Sequence, residues 1–240
     1  MITGIIVALP EELGTLVSGK VEKGHYAPLT NDILVAHGGA GAENARAAAE
    51  LLIDRGANKL ISWGCAAALS AELMPGSLVI ADVVKADDQP AIDCDRDWID
   101  HVRSIIGSEL SINIGSLTTS ATLVADRNKK RTIYEKTGSL ALDMESYAIA
   151  ETATKAGLPF LAIRTIADPV SMSLPQAVSH ALNAEGEVEL PKLIGYVLTH
   201  PSEIPSLITL GRHFNAAKKT LRSIAKYLGK ITEFSQLQTD

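Results

Sequence analysis

Residues 145–169 read ESYAIAETATKAGLPFLAIRTIADP, and this stretch decides the fold. Its first part, Glu145–Ala156, is rich in helix-forming residues and ends before Gly157, a residue type that commonly terminates helices. Pro159–Ile166 follows as a run of apolar residues that is too continuous for a sheet with one face in water. A helix that leads directly into a buried strand predicts an α/β fold.

The same alternation of strand and helix extends over the rest of residues 1–185. Strands are predicted at Gly4–Leu9, Asp32–His37, Leu60–Trp63, Ser77–Val84 and Ile112–Thr118. Helices are predicted at Glu43–Arg55, Asp97–Ile106 and Arg127–Lys136. We therefore predict one α/β domain over residues 1–185, with a three-layer α/β/α arrangement around a central mixed, mainly parallel twisted sheet.

Residues 186–240 form a helical C-terminal extension in this prediction. After three prolines, apolar residues recur at alternating steps of three and four: Leu207, Leu210, Phe214, Ala217, Leu221, Ile224 and Leu228. Such an apolar seam along one helix, with basic residues on its other faces, favours docking on the domain or on a second subunit. The alternative is contact of residues 207–230 with a membrane surface. The polar tail 231–240 is expected to be frayed.

Composition and charge exclude several classes of protein. Of the 240 residues 46% are hydrophobic and 21% charged, which is typical of globular chains rather than disordered or fibrous ones. The net charge of −6 gives no general duplex-binding face, so a nucleic-acid partner is not expected. Two cysteines and six scattered histidines form no disulfide framework or metal motif. With no signal peptide or spanning segment indicated, a cytoplasmic location is expected.

Polar residues and glycines follow the first two strands, where ligands gather in open α/β sheets. The first strand runs into Ala8-Leu9-Pro10-Glu11-Glu12, and either acid could also serve as the dipole partner of a helix N-terminus. The second ends in His37-Gly38-Gly39-Ala40-Gly41, where glycine amides can approach an anion at the start of a helix. Asn44 stands in place of a third glycine, so this is not a dinucleotide fingerprint.

Three later strand ends carry further candidate residues. Gly64-Cys65 follows a buried strand and allows a second close approach of backbone, with Cys65 as a nucleophile or, more simply, a structural thiol. Asp143 and Glu145 share one side of an extended segment with Met144 opposite, although Asp143 could instead cap the following helix. The extended geometry that Pro169 imposes on Asp168 fixes its direction, whether as a catalytic acid or as a turn residue.

Together these segments resemble the nucleoside phosphorylase and 5′-methylthioadenosine/S-adenosylhomocysteine nucleosidase superfamily over nearly all of residues 1–185. Gly4–Glu12 is similar to the nucleosidase opening. Gly64-Cys65-Ala66-Ala67 lies where the family has Gly-Ser-Ala-Gly, and Asp143-Met144-Glu145-Ser146 corresponds to its Glu-Met-Glu segment. Arg164–Asp168 corresponds to the segment that ends in the acid working at purine N7.

The resemblance implies the roles of these residues. Glu12 would orient an attacking water, Met144 would pack under the ribose, Glu145 would hold the ribose hydroxyls and Asp168 would protonate the leaving base. The substrate-binding set expected from it is Ala8, Gly64, Cys65, Asp143, Met144 and Glu145. If inorganic phosphate is the co-substrate, its predicted ligands are Gly38, Gly39, Gly41 and Arg46. No other cofactor and no metal is expected.

Within the superfamily, Asp168-Pro169 and the basic, proline-rich extension resemble most the hopanoid-associated phosphorylases, which release adenine from an adenosylated hopanoid. This resemblance implies phosphorolytic cleavage of an adenine nucleoside, including one with a lipid tail, by a homodimer or larger oligomer. A carboxylate at Glu12 repels phosphate and favours a hydrolytic nucleosidase instead. A nucleoside-binding module without turnover is the third alternative.

Overall fold

The computed structural model describes residues 1–181, 183 and 189–234. Within this part of the chain, nine strands belong to one sheet: β1 (Ile2–Val7), β2 (His25–Thr30), β3 (Ile33–His37), β4 (Ala57–Ala68), β5 (Leu78–Ala86), β6 (Ile92–Asp93), β7 (Ile112–Thr119), β8 (Ala141–Asp143) and β9 (Phe160–Asp168). The helices are α1 (Pro10–Leu13), α2 (Ala42–Asp54), α3 (Arg96–Ile106), α4 (Arg127–Thr137), α5 (Ser146–Lys155), α6 (Gln176–Ala181), α7 (Leu190–Thr199), α8 (Ile204–Ala225) and α9 (Leu228–Thr232).

The sheet is mixed, and the predicted single-domain α/β fold is confirmed. Strands follow one another in the order β2-β3-β1-β4-β8-β7-β5-β6, and β9 pairs with both β4 and β5. The pairings of β1 with β3 and β4, of β4 with β9, and of β7 with β5 and β8 are parallel. Because β9 connects β4 to β5, the strands β4, β8, β7, β5 and β9 form a closed ring of pairings.

Strands β2 and β6 were not predicted from the sequence, and β8 was indicated only by the strand end expected at Asp143. Pro28 lies in β2, an edge strand that pairs antiparallel with β3, and β6 and β8 contain only two and three residues. Strand β4 is also longer than the predicted Leu60–Trp63, since Ala67 and Ala68 pair with β8. Alanine-rich and proline-containing segments have low strand propensity, so tertiary pairing rather than local sequence makes these strands.

Strand β9 lies at the centre of the core. All nine of its residues are buried, as its continuously apolar sequence predicts. Helices α2 and α5 pack against each other and against neighbouring strands, and α8 lies along β9 and β4. Helix α5 turns Ala148, Ile149 and Ala153 into this core. The carboxyl ends of β1, β4, β8 and β9 are thereby held by packed elements.

The C-terminal seam packs on the domain. Ala217, Leu221, Ile224 and Leu228 are buried, so this part of the seam is not available to a membrane and the alternative of lipid contact is wrong for it. The predicted single helix is also wrong in detail, because α8 ends at Ala225 and α9 begins at Leu228.

The chain after the seam is also packed. Ile231 and Phe234 are buried, and the Phe234 ring stacks on Trp98 with 5.6 Å between ring centroids, so the frayed tail is wrong for residues 231–234. The rest of the predicted tail and the predicted domain boundary at 185/186 lie outside the described residues. In the described part of the chain, every helix is too short or too polar to cross a bilayer.

Candidate functional site

The candidate site is built around Arg164, a charged residue in the middle of the apolar strand β9. Its side chain is 2% exposed. Nε donates to Asp143 Oδ2 at 2.8 Å, and Nη2 donates to Ser62 Oγ at 2.6 Å and to Ser146 Oγ at 3.0 Å. Nη2 also lies 4.0 Å from Glu145 Oε2. A buried guanidinium needs such compensation, so Arg164 gathers acids from separate elements at one point.

Glu12 joins this cluster from α1. Its Oε2 accepts hydrogen bonds from the amides of Ala8 at 3.1 Å and Leu9 at 3.0 Å, and its Oε1 accepts one from the amide of Cys65 at 2.7 Å. Burial raises the pKa of Glu12, while Arg164 and these amides oppose the rise. The buried carboxylate is therefore held in one direction by the ends of β1 and β4.

Gly64 makes the close approach possible. A Cβ built at this position would lie 2.4 Å from Arg164 Nη1 and 2.5 Å from Glu12 Oε1. These are shorter than any tolerated contact, so a side chain here would displace both charged groups. The expected close approach at Gly64 thus takes place, and it is made by protein side chains.

Glu145 is held at the start of α5. Its Oε1 accepts from the amide of Gly41 at 2.9 Å and its Oε2 from the amide of Met144 at 3.2 Å. Burial, followed by the nearby charge of Asp143, raises the pKa of Glu145 to about 7. Arg164 and the Gly41 amide act in the opposite direction. Glu145 therefore changes charge close to neutral pH.

Asp143 takes the capping role that the sequence offered and a second role that it did not offer, the pairing with Arg164. Its carboxylate accepts from the amide of Ser146, as a helix cap does, and from Thr119 Oγ1 at 2.7 Å. The same carboxylate forms the ion pair with Arg164 at 2.7 Å. With its lone pairs engaged by protein groups, Asp143 acts as the support of Arg164.

Asp168 lies apart from this cluster, four residues further along β9. Four residues of strand span roughly 13 Å. Its Oδ2 pairs with Lys130 Nζ at 2.6 Å, and its Oδ1 is buried without a hydrogen-bond partner among the residues that the structure describes. Burial raises the pKa of Asp168, and Lys130 and then His213 oppose the rise. One oxygen of this acid is therefore paired, and the other is left for a ligand.

The predicted phosphate-binding residues do not come together as an open anion cradle. The Gly38 amide donates to Val7 O and the Gly41 amide to Glu145. Arg46 turns away to pair with Glu151 at 3.0 Å. Gly39 has φ +96° and lies against Lys23, whose Cε would be 2.4 Å from an added Cβ. Two of the three glycine amides are thus occupied by protein acceptors.

The other predicted ligand-binding residues line the same region. Ala8 is buried and Met144 and Cys65 are partly buried. Cys65 Sγ lies 4.0 Å from Thr165 Oγ1, and burial raises the pKa of the thiol far above its ordinary value. A protonated thiol is a poor nucleophile, so the structural alternative fits Cys65 better.

Sequence reasoning missed the groups that hold the acids. Arg164 has no predicted role of its own within the motif Arg164–Asp168, and no site role is predicted for Lys130, His213 or Ser62. A charged residue inside an otherwise apolar strand was the signal for Arg164, since such a residue requires partners. Lys130 and His213 gave no such signal, because each lies in a helix with many charged neighbours.

The comparisons with known proteins show the family to which the chain belongs. The model of the phosphorylase superfamily matches residues 3–189, and the chain therefore belongs to that superfamily. A 5′-methylthioadenosine/S-adenosylhomocysteine nucleosidase of Staphylococcus aureus is 24% identical over 194 residues, which cover 69% of this chain and 85% of the relative.

Solved structures show the same fold. A Helicobacter pylori nucleosidase mutant with 5′-methylthioadenosine in its active site gives a TM-score of 0.72 at 15% identity, covering 97% of this chain and 98% of that one. Futalosine hydrolase of the same organism gives 0.69 at 16% identity, with 96% and 97% covered. The S-adenosylhomocysteine nucleosidase of Streptococcus pyogenes gives 0.68 at 20% identity, with 97% and 96% covered.

Proposed function

We propose that this protein cleaves the N-glycosidic bond of an adenine nucleoside. The observation that carries the proposal is the buried set Glu12, Asp143 and Glu145 around Arg164, with Asp168 further along the same strand. The names of relatives of this chain describe them as nucleosidases of 5′-methylthioadenosine and S-adenosylhomocysteine, which are 5′-substituted adenosines. A purine riboside placed along β9 would have its sugar near Glu145 and its base near Asp168.

Glu145 recognises the ribose in this proposal. As the C1′–N9 bond stretches, positive charge develops on the sugar, and a carboxylate close to the hydroxyls stabilises that state more than the ground state. The raised pKa of Glu145 places its loss of charge near neutrality. Met144, adjacent to it, offers an apolar surface to the sugar.

Asp168 supplies the proton for the departing base. The electron pair of the C1′–N9 bond moves onto adenine, and a ring nitrogen takes the proton from Asp168 Oδ1. An unassisted adenine anion is a poor leaving group, so this transfer carries much of the rate enhancement. The unpartnered Oδ1 supports the assignment, because no protein group competes with the base for it.

Water is the nucleophile that the geometry favours. Glu12 is buried beside the cluster, and a carboxylate there can accept a hydrogen bond from water but repels phosphate. The occupied amides of Gly38 and Gly41 and the outward pairing of Arg46 weigh in the same direction. Hydrolysis thus replaces the phosphorolysis that the subfamily resemblance favoured, and phosphorolysis becomes the second candidate.

The identity of the 5′ substituent of the substrate is proposed from the family resemblance. An adenosylated hopanoid would carry a long apolar tail at that position. Exposed apolar residues occur on α7 and the start of α8, at Ile194, Leu198, Ile204 and Ile208. They favour an apolar 5′ group or a protein partner such as a second subunit, and a substrate panel distinguishes these.

The test is adenine release by the purified protein from adenosines that differ only at the 5′ group, with and without inorganic phosphate. The panel contains adenosine, 5′-methylthioadenosine and a 5′-alkylthio series of rising chain length. Adenine and free sugar in phosphate-free buffer are expected. Sugar 1-phosphate, formed only with phosphate, would establish phosphorolysis. No adenine under either condition would contradict the proposed function.

A further inference from the structure

Lys130 is the one buried residue of α4, a helix whose other ten residues all keep some exposure. Its side chain is 0% exposed. A lysine is rarely buried completely unless its charge is compensated. Lys130 therefore requires an explanation that the neighbouring Lys129, which is exposed on the same helix, does not.

The ammonium group of Lys130 contacts three oxygen atoms from the end of β9 and the segment after it. Nζ lies 2.6 Å from Asp168 Oδ2, 3.2 Å from Pro169 O and 2.9 Å from Met172 O. An ammonium has three protons, so all of its donors are used. These contacts fix both the Asp168 carboxylate and the backbone that follows it.

The same contacts leave Asp168 Oδ1 as the reactive oxygen. It is buried and has no hydrogen-bond partner in the part of the chain that the structure describes. His213 of α8 also lowers the pKa of Asp168, and its Nδ1 is buried without a hydrogen-bond partner among the described residues. Lys130 thus holds one side of the carboxyl group, while the opposite oxygen and the His213 ring remain for a ligand.

We propose that Lys130 is a positioning residue that stabilises the Asp168 carboxylate formed when Oδ1 gives its proton to the departing base. This inference rests on the proposed function. The proton leaves Asp168 for a ring nitrogen of adenine, the C1′–N9 electron pair goes to the base, and the negative charge that remains on Asp168 is paired with Lys130. Water returns a proton to Asp168 after adenine leaves.

The physical need for Lys130 follows from burial. A carboxyl group in a dry site holds its proton too tightly to act as an acid, and burial does raise the pKa of Asp168. An ammonium 2.6 Å away favours the ionised product of the transfer. Lys130 therefore keeps the acid buried and still able to release its proton.

The experiment compares two leaving groups in Lys130→Gln, which removes the charge and keeps an amide donor. Adenosine needs a proton on its base, whereas p-nitrophenyl riboside leaves readily as an anion. We expect kcat/KM for adenosine to fall about 100-fold, as for loss of general-acid assistance, and that for p-nitrophenyl riboside to change little. The alkaline limb of the adenosine pH profile should also move to higher pH.

Lys130→Arg keeps the charge and should retain most of the preference for adenosine, and Lys129→Gln should match the wild type. Equal losses on both substrates with an unmoved pH limb would overturn the proposal. The proposal would also be overturned if Lys130→Arg lost as much of its activity on adenosine, relative to p-nitrophenyl riboside, as Asp168→Asn does. This comparison replaces the first one if Lys130→Gln does not fold. If the wild type does not cleave p-nitrophenyl riboside, the shift of the alkaline limb of the adenosine pH profile in Lys130→Gln is the deciding measurement. Failure of the wild type on every adenosine contradicts the proposed function instead.

Discussion

Two buried lysines, Lys59 and Lys130, show how the same side chain serves different purposes in this fold. Lys59 on β4 donates to the carbonyls of Thr232 and Phe234 and lies 5.7 Å from the centre of the Trp98 ring. Lys130 on α4 also contacts two carbonyls, but its third partner is the Asp168 carboxylate.

The difference between the two lies in the acid. Burial lowers the pKa of Lys59. Within residues 1–181, 183 and 189–234 no carboxylate is hydrogen-bonded to Lys59, and its contacts anchor the end of the described chain onto the domain. Lys130 is paired with an acid whose second oxygen is free. The comparison indicates that a buried lysine whose hydrogen bonds go to carbonyl groups supports the fold. A buried lysine paired with an acid that has one oxygen without a partner indicates a catalytic site.

Asp168→Asn gives the largest expected effect on the Lys130 side of this comparison. The amide has a similar shape but no proton to give, so adenine release should fall roughly 1,000-fold, within the range of general-acid catalysis. Turnover of adenosine by single-time-point chromatography measures it, and circular dichroism checks that the fold survives. Full activity in this variant would remove Asp168 from the mechanism.

Glu12→Gln should have the next largest effect, and it tests the second acid that is held by fixed amides. A neutral amide orients water less well, so hydrolysis should fall about 100-fold. Removing the negative charge also removes repulsion of phosphate, and added phosphate should restore part of the turnover. Hydrolysis at the wild-type rate would show that Glu12 only supports the strand ends.

Lys59→Met tests the structural role assigned to Lys59. The carbonyls of Thr232 and Phe234 lose their donor, and about 2 kcal/mol of stability should be lost. For a chain of this size that corresponds to roughly 5 °C in melting temperature. We expect kcat to stay unchanged, with the exposed Lys226→Met as control. A loss of kcat at unchanged melting temperature would contradict the division between the two lysines.

Glu145→Gln gives an effect on stability that depends on pH. Because the pKa of Glu145 rises from 4.5 to about 7 on folding, its favourable contribution is complete below pH 4.5 and is lost as pH rises through 7. The variant should therefore melt roughly 5 °C higher than the wild type at pH 8. At pH 5 the two proteins should have similar melting temperatures. A difference that is the same at both pH values would show that Glu145 is not titrating.

Much of the fold could be predicted because the strands of this core are continuously apolar. β9 and its preceding helix α5 are evident from local sequence, and Gly157 separates them. Strand β6 could not be predicted and β8 was evident only as a strand end at Asp143, since two or three residues carry no periodicity. The break between α8 and α9 was likewise hidden, because the apolar seam continues through it.

The acids of the site could be predicted, but their partners could not. Glu12, Asp143, Glu145 and Asp168 all lie at or shortly after the carboxyl end of a strand, which is where a ligand is expected in this class of fold. Which oxygen of Asp168 is free depends on Lys130, 38 residues earlier in the chain. The predicted phosphate ligands were misleading for the same reason. The Gly41 amide donates to Glu145, which belongs to a distant element of the chain, and this contact is not visible in the local sequence.

The most direct test of the central claim is a crystal structure with formycin A, an adenosine analogue whose base is joined through carbon and cannot be released. We expect a base nitrogen within hydrogen-bonding distance of Asp168 Oδ1 and the ribose hydroxyls on Glu145, with a water between Glu12 and C1′. A nucleoside bound elsewhere on the protein, or one whose base points away from Asp168, would contradict it.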